Sequence, residues 1–223
     1  MGSQSQQSIV RVARERPNPP PKLPPNRSRP GGGLSNDKQS CKAASESLTA
    51  LIPDQNPVLT TKAHPTILVY VPDTAVDMRL GRFSILTQDE KTRVYSTHFI
   101  LPQAPGIISI RPPESSNYAL AEGQSYHWYL TLSCKQADGL RADLNVDGWI
   151  QRVASTPERQ QLIKSAAPDI WYDALANLAS NLKANPRDSE LQNQWNYLLR
   201  SIGMGNLATQ PLIGPVWPLK IRL

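Results

Sequence analysis

Apolar and polar residues alternate along much of the middle of the chain, as they do in β-strands that bury one face. Six stretches are predicted as strands: 66–71, 80–87, 92–101, 106–110, 126–134 and 143–153. Proline or glycine separates several of these stretches, which is typical of an all-β sandwich rather than of βαβ units. We therefore expect a mainly β fold with about seven short strands, of the immunoglobulin-like or fibronectin-like kind.

The segment 120–134 carries the most specific local signal. Leu120 precedes Tyr126 by six residues, and Gly123 occupies the turn between them. This is the layout of a tyrosine corner, in which the phenol bonds back to the crossing loop of such sandwiches. Period-two spacing then puts one set of residues on a single strand face: Tyr126, Trp128, Leu130, Leu132 and Cys134.

The pattern changes to helical spacing after Val153. Ser155 or Thr156 is suited to cap a helix that begins at Pro157. Amphipathic helices are predicted at 169–182 and 188–202. We expect these two to form a C-terminal helical pair that packs on the sandwich or on itself. An extended apolar tail follows at 211–223, and we expect it to dock on the body or on a partner.

Charge and composition divide the chain into a tail and a folded body. Residues 1–38 hold seven of the 24 Lys and Arg against two acids, and they are rich in Pro and Gly. Proline fixes φ and lacks a donor, so this segment is predicted to be a disordered tail. The other predicted units are a β-sandwich domain at 39–154 and a helical cap with an extended apolar tail at 155–223.

These patterns argue against a nucleic-acid partner and against a membrane-spanning segment. The basic tail contains no aromatic residue, and the rest of the chain is close to neutral, so no nucleic-acid partner is expected. No stretch approaches the roughly 18 consecutive apolar residues of a membrane span. We therefore expect a chain without a membrane-spanning segment.

The two cysteines, Cys41 and Cys134, leave two interpretations open. They lack a CxxC spacing, which makes them a poor zinc or redox signature. Either they form a disulfide, which requires an oxidising compartment, or they are two buried free thiols in a cytosolic protein.

Candidate chemical motifs are weak. Residues 143–148 match the first half of a calcium loop, but Ala154 stands where a bidentate glutamate is needed. The paired acids Asp89 and Glu90 fall in a polar turn and are expected to be solvated. The three histidines, at 64, 98 and 127, have no metal-ligand spacing, and no nucleophile elbow is present. We therefore expect no enzymatic activity, no cofactor and no metal.

Five short motifs, taken in order, resemble a known family. They are His64-Pro65-Thr66, Tyr70-Val71-Pro72, Tyr126-His127-Trp128-Tyr129, Gly148-Trp149-Ile150-Gln151-Arg152-Val153 and Trp171-Tyr172-Asp173-Ala174-Leu175. Over roughly residues 41–202 the chain resembles the cyanobacterial family of domain of unknown function 928. The resemblance implies an exported protein with a leader, a Pro/Arg/Gly-rich spacer and no assigned activity.

Export would place the protein in the periplasm or outside the cell; residues 1–7 as given do not show the apolar core that a signal peptide needs. It would also favour a disulfide between Cys41 and Cys134. Our leading hypothesis is a non-enzymatic interaction or assembly module of the cell envelope with a protein partner.

A carbohydrate-binding module is the alternative, because Trp and Tyr stack well on the apolar faces of sugar rings. The candidate binding face consists of His127, Tyr129, Trp149 and Arg152. A polysaccharide is therefore a possible second partner. A calcium-dependent or hydrolytic enzyme is a third and weaker hypothesis.

Overall fold

The computed structural model describes residues 23–29, 48–72, 80–135 and 141–219, with the backbone alone at 134, 135 and 141–143. Eight strands come first: β1 (Thr49–Ala50), β2 (Val58–Thr60), β3 (Ile67–Val71), β4 (Leu80–Thr87), β5 (Arg93–Ile100), β6 (Gly106–Ile110), β7 (Ser125–Lys135) and β8 (Arg141–Arg152). Three α-helices follow: α1 (Pro157–Lys164), α2 (Trp171–Ala184) and α3 (Ser189–Ser201).

The described strands form two separate sheets and no closed barrel. A three-stranded antiparallel sheet has the order β1-β3-β6, and a five-stranded sheet has the order β2-β8-β7-β4-β5. In the larger sheet β2 runs parallel to β8, and the other neighbouring pairs are antiparallel. The fold is therefore mixed α/β and rich in β-strands.

Strand β7 lies in the centre of the large sheet, because it pairs with β4 on one side and with β8 on the other. Its side chains alternate as the sequence predicts. One set is buried in the hydrophobic core: Tyr126, Trp128, Leu130 and Leu132. The intervening residues, His127, Tyr129 and Thr131, therefore point away from that core.

The tyrosine corner is present in the structure. The Tyr126 hydroxyl oxygen accepts a hydrogen bond from the Ala121 backbone N–H at 2.7 Å. Gly123 stands in the turn with φ of +78°, a left-handed conformation that suits glycine. The bond ties the turn before β7 to the strand itself.

The described residues after β8 contain the three predicted helices, one capped near Pro157 and two that are amphipathic. The first predicted helix is α1, and Thr156 caps it by accepting from the Arg159 N–H at 3.3 Å. Helix α2 packs into the same core as the sheets: the Trp128 indole N–H donates to the Tyr172 hydroxyl at 2.7 Å, and the Trp171 indole donates to the Leu51 carbonyl at 2.8 Å. One hydrophobic core thus spans the predicted boundary at residue 154.

Part of the predicted disordered tail is ordered on the sheet, which corrects that prediction for residues 23–29. Arg27 and Asp147 exchange two backbone hydrogen bonds, of 3.1 and 3.0 Å, at the edge of β8. The Asn26 side chain accepts from the Trp149 N–H and donates to the Pro53 carbonyl. Strand β2 covers β8 only at residues 150–152, so the preceding edge is available to this segment.

The extended segment 211–219 docks across both sheets, as expected for an apolar tail. The Ile107 N–H donates to the Pro211 carbonyl at 2.8 Å, and the Val216 N–H donates to the Ser109 carbonyl at 3.1 Å. Glycine at 106 permits the close approach, because an added Cβ would lie 2.5 Å from the Pro211 oxygen. Further along, Pro218 bridges Phe99 on β5 in the antiparallel sense.

A buried carboxylate joins α2 to the loop after β2. Asp173 lies in the first turn of α2 and accepts from the Thr61 N–H at 2.9 Å and the Thr61 hydroxyl at 2.5 Å. It also accepts from the Thr60 hydroxyl. Because all three groups are buried, each donor needs this acceptor.

We expect Asp173→Ala to lower the free energy of unfolding by about 3 kcal/mol, because it leaves buried donors without an acceptor. Asp188→Ala is the matched control: its carboxylate caps α3 in the open and should contribute about 1 kcal/mol. Urea denaturation of both variants measures the difference. Equal losses of unfolding free energy in the two variants would contradict the conclusion that Asp173 joins α2 to the loop after β2.

Candidate functional site

Polar and aromatic side chains cluster on the outward face of the five-stranded sheet. The register brings His127 on β7 opposite Trp149 on β8, and Tyr129 opposite Asp147. Glu90 comes from the turn between β4 and β5, where its φ of +58° is left-handed. We call these five residues, Glu90, His127, Tyr129, Asp147 and Trp149, the outward cluster.

His127 lies between two carboxylates. Its Nε2 is 2.9 Å from Asp147 Oδ2, and its Nδ1 is 2.7 Å from Glu90 Oε1. A neutral imidazole carries one N–H, so the ring donates to both carboxylates only in its doubly protonated form. Arg27 Nε lies 3.6 Å from Asp147 Oδ1 and brings a guanidinium to the same carboxylate.

Glu90, in the turn between β4 and β5, is held by two hydrogen-bond donors. The hydrogen bonds from His127 and from the Tyr129 hydroxyl, at 2.7 and 2.8 Å, lower the pKa of Glu90 below its ordinary value. Burial and the bond to Glu90 raise the pKa of Tyr129, so its phenol keeps the proton that it donates. The cluster therefore fastens the β4–β5 hairpin to β7 by charge-assisted hydrogen bonds.

Trp149 is buried although it points away from the core. Its ring stacks on the His127 ring with centroids 4.0 Å apart and planes 15° apart. Trp149 and His127 are 3% and 6% exposed. Among the described residues, the Trp149 indole N–H has no hydrogen-bond partner.

The outward cluster joins the β4–β5 turn, β7 and β8. Each ring nitrogen of His127 already faces a carboxylate, so the ring offers no free base to a substrate. A groove of about 620 Å³ lies nearby, but its lining residues, 87–89, 92 and 124–126, do not include the cluster. In the described part of the chain, no three His, Cys, Asp or Glu side chains are placed to hold a metal ion.

Three of the four residues predicted as a binding face come together: His127, Tyr129 and Trp149. Arg152 does not join them, because it is three residues from Trp149 and so points to the other face of β8. Its guanidinium donates to the Leu120 carbonyl beside the tyrosine corner. Trp149 and His127 are both buried, so neither ring is exposed on this face.

The segment 143–148, which matches only the first half of a calcium loop, belongs to the continuous strand β8. Glu90 was expected to be solvated; its side chain is 47% exposed, and it is also bonded to His127. Asp89 remains in the turn, where it accepts from the Thr87 hydroxyl.

The expected disulfide cannot be placed on this structure. Cys41 lies outside the described residues, and Cys134 belongs to the positions described by backbone alone. The pairing therefore stays a prediction.

A second feature of the outward face lies at the opposite end of the sheet. Leu80 on β4 pairs with Ile100 on β5. The bridge between Phe99 and Pro218 places Trp217 opposite Ile100 on the far side of β5. We call Leu80, Ile100 and Trp217 the apolar row; they are 37%, 57% and 75% exposed.

Arg82, His98 and Leu219 lie beside the apolar row. Arg82 pairs with His98 at the next outward-facing register position, and both are exposed. The Leu219 N–H donates to the His98 carbonyl at 2.7 Å, which places exposed Leu219 next to His98. The outward face therefore has a charged, closed cluster at one end and an exposed apolar row at the other.

A family model described as Domain of Unknown Function (DUF928) matches residues 26–212. The chain belongs to the DUF928 family. The DUF928 match begins at Asn26, which bonds to β8, and ends at Leu212 in the docked segment. Leu80 and Ile100 lie inside the matched range, and Trp217 lies beyond it.

Other comparisons add little to the family assignment. A search of curated proteins finds no relative of this chain. One solved structure, pT26-6p, is similar at 16% identity and a TM-score of 0.26, with 65% of this chain and 28% of that chain covered. The chain thus spans just over a quarter of that structure. Among the described residues no helix is long and apolar enough to cross a bilayer.

We expect Glu90→Gln to reduce stability near pH 7 by less than about 1 kcal/mol, since the carboxylate is half exposed. The folded-state pKa of Glu90 is lowered, so its contribution is present above the unfolded pKa and is lost as the pH falls through the folded pKa. The difference between Glu90→Gln and the parent protein should therefore shrink in acid. Thermal unfolding from pH 7 to pH 3 measures it, with exposed Glu122→Gln as control. A difference that does not depend on pH would contradict the conclusion that ionised Glu90 fastens the β4–β5 hairpin to β7.

Proposed function

We propose that this protein is a non-enzymatic interaction and assembly module of the cell envelope, which attaches to an envelope component through the apolar row. The exposed side chains of Leu80, Ile100 and Trp217 carry this proposal. They lie next to one another on one face, on β4, on β5 and on the docked segment 211–219. Large apolar side chains that are exposed as a contiguous patch mark interaction surfaces more often than scattered ones do.

The outward cluster supports a structural role for the other end of the face. Its His, Glu and Asp side chains bond to one another, and its two buried rings stack on each other. Sugar binding by Trp149 would require the ring to be uncovered first, so the carbohydrate-binding alternative gains no support from this geometry. The continuous course of β8 likewise gives no support to a calcium-dependent enzyme.

We also propose that the two sheets belong to an immunoglobulin-like or fibronectin-like sandwich. The Tyr126 bond to the Ala121 N–H supports it, because this corner recurs in such sandwiches. Export to the periplasm or the cell exterior, and with it a bridge between Cys41 and Cys134, belongs to the same proposal. The resemblance to exported members of the family supports that part.

A photo-crosslinking residue in place of Ile100 tests the proposed attachment in intact cells that make the protein. We expect adducts from position 100 that disappear when Trp217→Asp is added, because a carboxylate in the row opposes apolar contact. Tyr197, 72% exposed on α3, is the control position and should not give these adducts. Mass spectrometry identifies each adduct as protein or lipid.

Two results would contradict the proposal. One is the same set of adducts from positions 100 and 197. The other is a set from position 100 that Trp217→Asp leaves unchanged.

A further inference from the structure

We infer that the component contacted by the apolar row is an anionic lipid surface, on which the protein lies with Trp217 inserted between headgroups. This inference rests on the proposed function. It is carried by the chemistry of the row and of its neighbours, by the separation of charges on the outward face, and by the size of the patch.

The chemistry of the row matches that of a bilayer interface. Tryptophan is enriched where hydrocarbon meets headgroups, because its ring is apolar and its N–H is polar. Ile100 and Leu80 supply aliphatic area beside it, and Leu219 adds a fourth exposed apolar side chain. Amphipathic surfaces of this kind insert into the region between headgroups and acyl chains.

One cation lies beside the row on the same face. Arg82 is exposed and lies two residues along β4 from Leu80, in register with His98. In the sequence, Lys220 and Arg222 follow Leu219 within three residues. Basic residues next to an apolar surface are attracted to anionic lipid headgroups.

The two acids of the outward cluster, Glu90 and Asp147, lie away from the apolar row. Asp147 is in register with Tyr129 and Ser84, four residues along β4 from Leu80, which is about 13 Å at strand spacing. That exceeds the Debye length of about 8 Å at physiological ionic strength. The backbone position of residue 143 on β8 is in register with Leu80 through Ser133, two strands or roughly 10 Å from Leu80. Trp217 lies on the other side of Leu80, beyond β5.

The size of the patch favours a bilayer over a protein partner. The four exposed apolar side chains together present on the order of 400 Å² of surface, about half of the roughly 800 Å² that each partner buries in a standard protein interface. Insertion into a bilayer has no such minimum, because the apolar contribution adds to the attraction between cations and headgroups.

Vesicle binding by the full chain tests the inference, and the tryptophans make the readout specific. Four of the five, at 128, 149, 171 and 195, are buried, and Trp217 is exposed. With vesicles of 70% phosphatidylcholine and 30% phosphatidylglycerol, we expect co-sedimentation and quenching of tryptophan emission by brominated acyl chains. Pure phosphatidylcholine vesicles should bind more weakly.

Matched variants separate the row from the basic tail. Trp217→Ala removes an exposed side chain, so the fold should persist, and we expect vesicle affinity to fall by about tenfold. Tyr197→Ala removes an equally exposed aromatic ring from α3 and should bind like the parent. Binding that survives Trp217→Ala, or that occurs without bromine quenching, would assign the attraction to residues 1–38 and overturn the inference.

The failure of this inference differs from that of the proposed function. If vesicles do not bind while position 100 still gives protein adducts that depend on Trp217, the row contacts a protein and the lipid inference is wrong. If position 100 gives no adducts that depend on Trp217 and vesicles do not bind, both proposals are wrong.

Discussion

The alternation of side chains along β7 is the constraint on which the rest of the structure depends. Hydrogen bonding to strands on both sides fixes the register of β7, and with it the face to which each residue points. Trp128 therefore enters the core and meets Tyr172 of α2, while His127 and Tyr129 emerge on the other side. If the pairing of β7 shifted by one residue, its core side chains would be exposed and its charged side chains would be buried. The register of β7 therefore determines both the packing of the core and the residues of the outward face.

The two chain segments that flank the body complete the outward face. Residues 23–29 bond to β8 and bring Arg27 to Asp147, which adds to the charge balance of the cluster. Residues 211–219 lie across β6 and β5 and bring Trp217 into register with Ile100. The cluster stabilises the hairpin end of the sheet through charge, and the other end is left apolar and exposed.

The elements that could be predicted from the sequence are those that neighbouring residues determine. The strong alternation of β7 and the cap at Thr156 gave elements that the structure contains, whereas β2 is three residues long and owes its pairing to distant β8. His127 and Tyr129 share a face of β7 because they are two residues apart. Trp149 and Arg152 are three residues apart on β8, so the same alternation puts Arg152 on the opposite face from Trp149. Glu90 could not be placed from sequence, because its contact depends on how the hairpin folds back over β7.

The register of the docked segment against β5 is the most direct test of this account, since it creates the apolar row. In an antiparallel pair without mutual hydrogen bonds, the Cα atoms lie about 4.5 Å apart and the α-protons face each other. We therefore predict a strong nuclear Overhauser effect between the α-protons of Phe99 and Pro218. A spectrum in which the Pro218 α-proton instead contacts another strand, or none, would contradict the account.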